Sequence, residues 1–134
     1  MSRPLPILLL LLLAACGGSP PATSGIAPSG ETAQATVLEF MRAVADSNLT
    51  RMSELWGTQR GSAAETRTPP DWERRVIVIH SYLRNRGHRV IGDLDGGAGR
   101  RVVTLELARQ GCGRQVPFTM IRAPRGGWLV NAVD

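Results

Sequence analysis

The hydrophobic period of this chain changes once, at Gly87, and that change limits the folds open to it. Before Gly87 apolar residues recur at helical spacing. Val37, Phe40, Met41 and Val44 stand at i, i+3, i+4 and i+7, with Glu39, Arg42 and Asp46 on the polar side, which predicts an amphipathic helix. Ser47-Asn48 interrupts it and supplies a cap for a second short helix, whose apolar stripe is Leu49, Met52, Leu55 and Trp56. Gly57 stops that helix, and residues 58–68 are polar and loop-like. Thr68-Pro69-Pro70-Asp71-Trp72-Glu73 then reads as a third helix start: a capping Thr, prolines in the first turn, and acids at the positive end of the dipole. Trp72, Val76, Ile79 and Leu83 follow at helical spacing, although the run Val76–Ile79 alone would equally suit a strand. Asn85-Arg86-Gly87 closes the element.

After Gly87 the period is two. Four β-rich runs follow, at His88–Asp95, Arg101–Arg109, Gln115–Arg122 and Trp128–Val133. Val103, Leu105 and Leu107 alternate with Thr104 and Glu106, and Val116, Phe118 and Met120 alternate with Pro117 and Thr119, the pattern of a sheet with one buried face. The separators Gly96-Gly97-Ala98-Gly99, Gly111-Cys112-Gly113 and Pro124-Arg125-Gly126-Gly127 are short and accept positive φ, so the runs join as hairpins. Pro117 inside a run points to an edge position or a bulge. The expected class is α+β: two to three N-terminal helices packed on a four-stranded antiparallel meander, as one domain over residues 31–134.

The first thirty residues follow neither pattern. Arg3 precedes an apolar run that includes six consecutive leucines, and Leu13-Ala14-Ala15-Cys16 ends it. Leu5 to Ala15 makes a helix of about 16 Å, against about 30 Å for a hydrocarbon core, too short to span a membrane permanently. The run therefore reads as an export leader. An ordinary signal peptidase requires a small residue where Leu13 stands, which disfavours a simple cut before Cys16. Residues 17–30 are rich in Gly, Ser and Pro and carry no charge, so they read as a tether without a core of its own.

Leu13-Ala14-Ala15-Cys16 resembles the lipobox of bacterial lipoproteins at all four positions. The resemblance implies that residues 1–15 are removed, that Leu13, Ala14 and Ala15 are read by the processing peptidase, and that the Cys16 thiol receives diacylglycerol, often with a further acyl chain such as palmitate on the new amine. Two or three chains, at about 0.8 kcal/mol per buried methylene, hold a protein on a membrane where one does not. Gly17, in place of an aspartate, points by the family's sorting habit to the outer membrane, facing the periplasm, if the host has two membranes.

The helices and meander are similar to the nuclear transport factor 2-like fold, also called ketosteroid isomerase-like or SnoaL-like. The segment from Val37 through Asp46-Ser47-Asn48-Leu49 to Met52-Ser53-Glu54-Leu55-Trp56-Gly57-Thr58 resembles the opening of small bacterial lipoproteins with this cone-shaped fold. Members include enzymes, ligand binders and accessory domains, so the fold leaves function open. An isomerase-like site would need an Asp base facing a Tyr and a second acid. Tyr82, Asp93 and Asp95 are the candidates, and none aligns with the family's catalytic positions. Asp95 beside Gly96-Gly97 is explained by turn chemistry, and Asp93 alternates outward from a face that includes Leu94, which places it in solvent.

The rest of the composition excludes more than it assigns. With 43% hydrophobic but only 4% aromatic residues, a core is affordable and must rest mainly on Val, Leu, Ile and Met. The formal charge is +5, and every basic side chain is arginine. Such a surplus attracts phosphates of nucleic acid or anionic lipid, but the arginines are scattered without a stacking pattern of aromatics, export argues against nucleic acid, and a GC-rich coding sequence gives the same bias. Arg84, Arg86 and Arg89 surround the end of the third helix. Arg100, Arg101, Arg122 and Arg125 lie near strand ends and, gathered at one edge, would meet lipid phosphates or an acidic partner.

His80 and His88 lie eight residues apart with no cysteine pair or carboxylate box at ligand spacing, so no metal site is expected. There is no G-x-S-x-G elbow, and Gly92, Gly96, Gly97 and Gly99 lack the Lys-Ser/Thr of a phosphate loop. Asn48-Leu49-Thr50 fits a glycosylation sequon, though capping suits it better. Once Cys16 carries lipid, Cys112 is a candidate free thiol, either exposed and open to an intermolecular disulfide or, as the favoured reading, folded under the sheet as a small apolar residue. No cofactor is expected. The expectation is a lipid-anchored envelope protein whose domain binds a protein partner or a small apolar ligand without catalysis. The alternatives are an enzyme using the cavity between helices and sheet, and a plain spacer.

Overall fold

The computed structural model describes residues 32–134. The leader, Leu13, Ala14, Ala15, Cys16 and the stretch from 17 to 30 lie outside the described residues. Helix α1, Ala33–Ala45, starts where Thr32 turns extended and its hydroxyl accepts from the Ala35 N–H at 3.0 Å. Val37, Phe40, Met41 and Val44 are all buried, so the helical spacing read from the sequence is the face that packs.

Asn48 caps α2, Leu49–Leu55, by accepting from the Arg51 N–H at 2.9 Å. Met52, Leu55 and Trp56 are buried, but Leu49, expected on the same stripe, sits exposed in the first turn. Arg51 ties the two helices together, donating to Glu54 at 2.7 Å and through Nε to Glu39 at 3.2 Å. Partial burial works against its charge, yet the hydrogen bonds and charges of Glu39 and Glu54 outweigh that and raise its pKa.

The segment expected as loop is ordered instead. Strands β1, Gly57–Thr58, and β2, Gly61–Ser62, form a two-residue antiparallel ribbon that leads into α3, Ala63–Thr66. Its polar residues are used locally: Ser62 Oγ accepts from the Glu65 N–H at 3.3 Å, and Thr66 donates to the Ser62 carbonyl at 2.9 Å. Gly57 ends α2 for a reason other than a left-handed cap. A Cβ built there would lie 2.2 Å from the Gly61 carbonyl oxygen and 2.8 Å from Ser62 Cα, so only glycine lets the two strands meet.

Helix α4, Trp72–Leu83, begins later than the Thr68 cap implied. The Thr68 hydroxyl donates to the Thr66 carbonyl at 3.1 Å, and Asp71, at the cap position, takes Arg75 Nε at 2.9 Å in place of a main-chain N–H. The strand alternative for Val76–Ile79 fails. Val76 and Leu83 are buried, and Trp72, Ile79 and Tyr82 pack partly against the core.

Strands β3 (Gly87–Gly97), β4 (Arg100–Arg109), β5 (Cys112–Arg122) and β6 (Trp128–Val133) form an antiparallel meander in sequence order. The fold is thus α+β, with the helices N-terminal to the sheet. Val103, Leu105, Leu107, Val116, Phe118 and Met120 form the buried face, and Trp56 makes a parallel bridge to Val130. Phe40 meets Phe118 edge-on, with ring centroids 6.5 Å apart. Among the described residues the buried apolar side chains form one continuous core cluster. None of its helices is long and apolar enough to cross a membrane.

Two sequence expectations are corrected by the register. Pro117 lies in a central strand, neither at an edge nor in a bulge. It pairs with Thr104 of β4, and its carbonyl accepts from the Asp134 N–H at 3.2 Å on the β6 side, so the ladder there is held by the carbonyl alone. In β3 the pairing steps from Val90↔Leu105 to Gly92↔Thr104 and leaves Ile91 as a bulge. That extra residue flips the phase. Asp93 pairs with the core-facing Val103, on the helix side, whereas Leu94 turns out and is 70% exposed.

Candidate functional site

The helix-to-sheet interior leaves little for chemistry. Phe40, Met41, Met52, Leu55, Leu105 and Phe118 fill it, each fully buried. The buried polar residues among those described are Thr36, Ser53 and Ser62, and each has a local main-chain partner: Thr36 donates to Thr32 O at 3.2 Å, Ser53 to Thr50 O at 2.7 Å, and Ser62 caps α3. No carboxylate is buried among the described residues.

Polar chemistry gathers instead at one end of the sheet, where β3 starts, β4 ends and β5 starts. A cleft of about 420 Å³ opens there, lined by Arg86, His88, Arg89, Glu106, Arg109 and Cys112 among others. A second hollow of about 530 Å³, lined by Ser81, Arg84, Asn85, Arg86 and Arg109, adjoins it across the shared Arg86 and Arg109. Four arginines thus line the joined clefts against the single carboxylate of Glu106.

The four are not equivalent. Arg109 reaches back from β4 to the end of α4, donating through Nε to the Arg84 carbonyl at 2.9 Å and through Nη2 to the Tyr82 carbonyl at 3.0 Å. It serves carbonyls that a helix end leaves unpaired, with a positive charge at the negative end of the dipole. Arg89 is held by Glu106 at 3.1 Å. Arg84 and Arg86 have no ion-pair partner among the described residues, and both are exposed at the rim. These two cations are available to a ligand. Beside the cleft, Arg114 stacks over the Tyr82 ring at 4.3 Å and donates to its hydroxyl, which in turn donates to the Asp134 carbonyl at 3.3 Å.

His88 faces this cationic wall, and loss of water around part of its ring lowers its pKa below the ordinary 6.5. Cys112 corrects the sequence reading: its thiol is free and exposed at the mouth of the cleft, not folded under the sheet. Cys112 opens β5 directly after the Gln110-Gly111 turn, in an exposed stretch that precedes the buried face beginning at Val116.

The remaining candidates do not converge. Tyr82 sits at the cleft end of the sheet and Asp93 toward the other. Asp93 accepts from Arg101 Nε at 2.7 Å and from Gln34 at 3.0 Å, which fastens the start of α1 to the sheet. Asp95 accepts from the Gly97 N–H at 2.7 Å, the turn role its sequence position implied. His80 bonds to Ser47 at 3.2 Å, whereas His88 lines the cleft. No group of three His, Cys, Asp or Glu able to hold a metal occurs among the described residues.

Arg100, Arg101, Arg122 and Arg125 do share the end of the sheet opposite the cleft, but three of them are engaged. Arg101 is paired with Asp93, Arg122 stacks over Trp128 at 4.2 Å, and Arg125 lies 3.7 Å from Glu65. The positive cluster formed instead by Arg84, Arg86, Arg89 and Arg109 was only partly visible in the sequence. Arg109 joins it through strand pairing, which places Ala108 opposite Gly87. No family model, no curated protein and no solved structure matches the chain.

Proposed function

We propose that this is a lipid-anchored cell-envelope protein whose domain is a non-catalytic binding module for an anionic partner. The anchor rests on Leu13-Ala14-Ala15-Cys16 with its preceding apolar run. The likeness to the nuclear transport factor 2-like fold rests on the order of helices and meander. The binding role is carried by one contrast: the interior is filled with apolar side chains, while two unpaired arginines stand at an open surface cleft. Chemistry aimed outward suits recognition of an anion. An isomerase-like enzyme would need an acid inside an apolar cavity, and Phe40 and Phe118 occupy that space.

Two measurements test the reading separately. Cells making the full chain and fed an alkyne fatty acid label the protein, and Cys16→Ala abolishes the label; an unlabelled wild type with an intact N-terminus overturns the anchor. For the cleft, a chain beginning at Gly17 is titrated with inorganic phosphate and followed by amide NMR. Shifts centred on Arg84, Arg86 and His88 support the anion site, and shifts absent there or spread evenly over the surface overturn it.

A further inference from the structure

The exposed side of α4 runs into the arginine cleft. Ile77 and Val78 are 52% and 59% exposed at the middle of the helix, although both are large aliphatic side chains. Ser81 lies one turn beyond Ile77, donates to its carbonyl at 3.1 Å, and lines the hollow that holds Arg84 and Arg86. Arg74 lies one turn before Val78 and is exposed. An aliphatic pair, a hydroxyl and unpaired guanidinium groups therefore follow one another along a single rim.

We propose that this rim, Ile77 and Val78 with Arg84 and Arg86, seats on an anionic phospholipid surface, namely the bilayer to which Cys16 tethers the chain. The inference rests on the lipid-anchor reading for the identity of the surface and deepens the anion-binding one. Charge complementarity selects the occupant. Guanidinium groups take lipid phosphates, and the adjoining aliphatic side chains gain only where acyl chain is within reach; a soluble acidic peptide rewards the first and not the second. Glu73, one turn before Ile77 and exposed, disfavours contact at the start of α4, so the C-terminal half of the helix is the part that seats.

Reach is no obstacle. Sixteen residue steps separate Cys16 from Thr32, which allows a separation of up to about 58 Å. A weak surface contact is then made at high local concentration, so it governs how the domain is oriented without needing strong affinity.

The test uses the chain beginning at Gly17, which lacks the acyl site, so it is blind to whether Cys16 is modified. It is floated with vesicles of phosphatidylcholine alone and of equal parts phosphatidylcholine and phosphatidylglycerol. Binding to the anionic vesicles only, reversed by salt, is expected. Arg84→Ala with Arg86→Ala lowers the partition coefficient about thirtyfold, and Ile77→Ser with Val78→Ser lowers it at unchanged phosphate response in the NMR titration. Circular dichroism of each variant establishes that it is folded. Two results overturn the proposal: no binding to anionic vesicles at low salt, or binding that the Ile77 and Val78 changes leave intact and soluble polyglutamate fully displaces, which would mark a site for acidic protein. If the phosphate response persists while vesicle binding fails, the anion cleft stands and the bilayer inference alone falls.

Discussion

Arg109 donates its Nε hydrogen to the main-chain carbonyl of Arg84 at 2.9 Å, so a residue from the end of β4 closes the end of α4. A second bond, to Tyr82 O at 3.0 Å, makes the contact a two-point clamp between helix and sheet. Arg109→Ala leaves both carbonyls to water and removes a charge from the negative end of the helix. Because the site is exposed, the expected loss is about 1 kcal/mol of unfolding free energy, below the usual figure for buried charged hydrogen bonds. Urea denaturation checks it, with Arg86→Ala as the control. Arg86 makes no such bond through its side chain, and its truncation should leave the midpoint where it was.

Gly57 tests a different kind of constraint. Ala at this position drives a methyl group to within 2.2 Å of the Gly61 carbonyl, which belongs to backbone and cannot rotate aside. The expected cost of Gly57→Ala is about 2–3 kcal/mol, in the range of overpacked sites. Gly87→Ala is the matched comparison, since nothing lies within 4 Å of the added carbon. The urea midpoint should fall for the first and hold for the second. Equal midpoints would mean that the β1–β2 ribbon is not closed as described.

The helices and strands were legible because their periods are set by local geometry: Val37 to Val44 at helical spacing, and Val103 to Leu107 and Val116 to Met120 at alternation, all buried as read. Asp93 was misplaced because a bulge at Ile91 adds one residue, and a pattern of period two has no defence against that. Pro117 was misread because β5 is central only through its pairing with both β4 and β6, a fact about partner segments. The cleft was the least legible feature. Arg84, Arg86 and Arg89 are near neighbours in sequence, but Arg109, Glu106 and Cys112 join them only through the β3–β4 and β4–β5 registers. Long-range pairing carries that information, and the sequence of any one strand does not.

Cys112 can be titrated directly. An exposed thiol at a hairpin mouth reacts with a maleimide or an aromatic disulfide reagent without denaturant, as a buried one does not. In the chain beginning at Gly17 it is the one cysteine, so one equivalent should react in the native protein and none in Cys112→Ser. Reaction that waits for urea would return the thiol to the underside of the sheet. The substitution itself should cost almost nothing in stability, because an exposed side chain gives up no packing.

His88 links the cleft to pH, and the sign follows from its lowered pKa. In the unfolded chain the imidazole takes a proton near pH 6.5, whereas in the folded protein it resists until the pH is lower. Between those two values the unfolded state binds more protons, so acidification favours unfolding there. The contribution of a neutral His88 is therefore complete above about pH 6.5 and declines as the pH falls toward the folded pKa, below which it changes no further. Arg86, Arg89 and Arg109 line the same cleft, with Glu106 as the carboxylate among its lining residues. Because the ring is substantially exposed the effect is small, and it is best read as a difference. Between pH 7.5 and 5.5 the wild type should lose more unfolding free energy, measured by urea, than His88→Gln does. Parallel losses in the two proteins would show that His88 is fully hydrated and takes no part in the cleft.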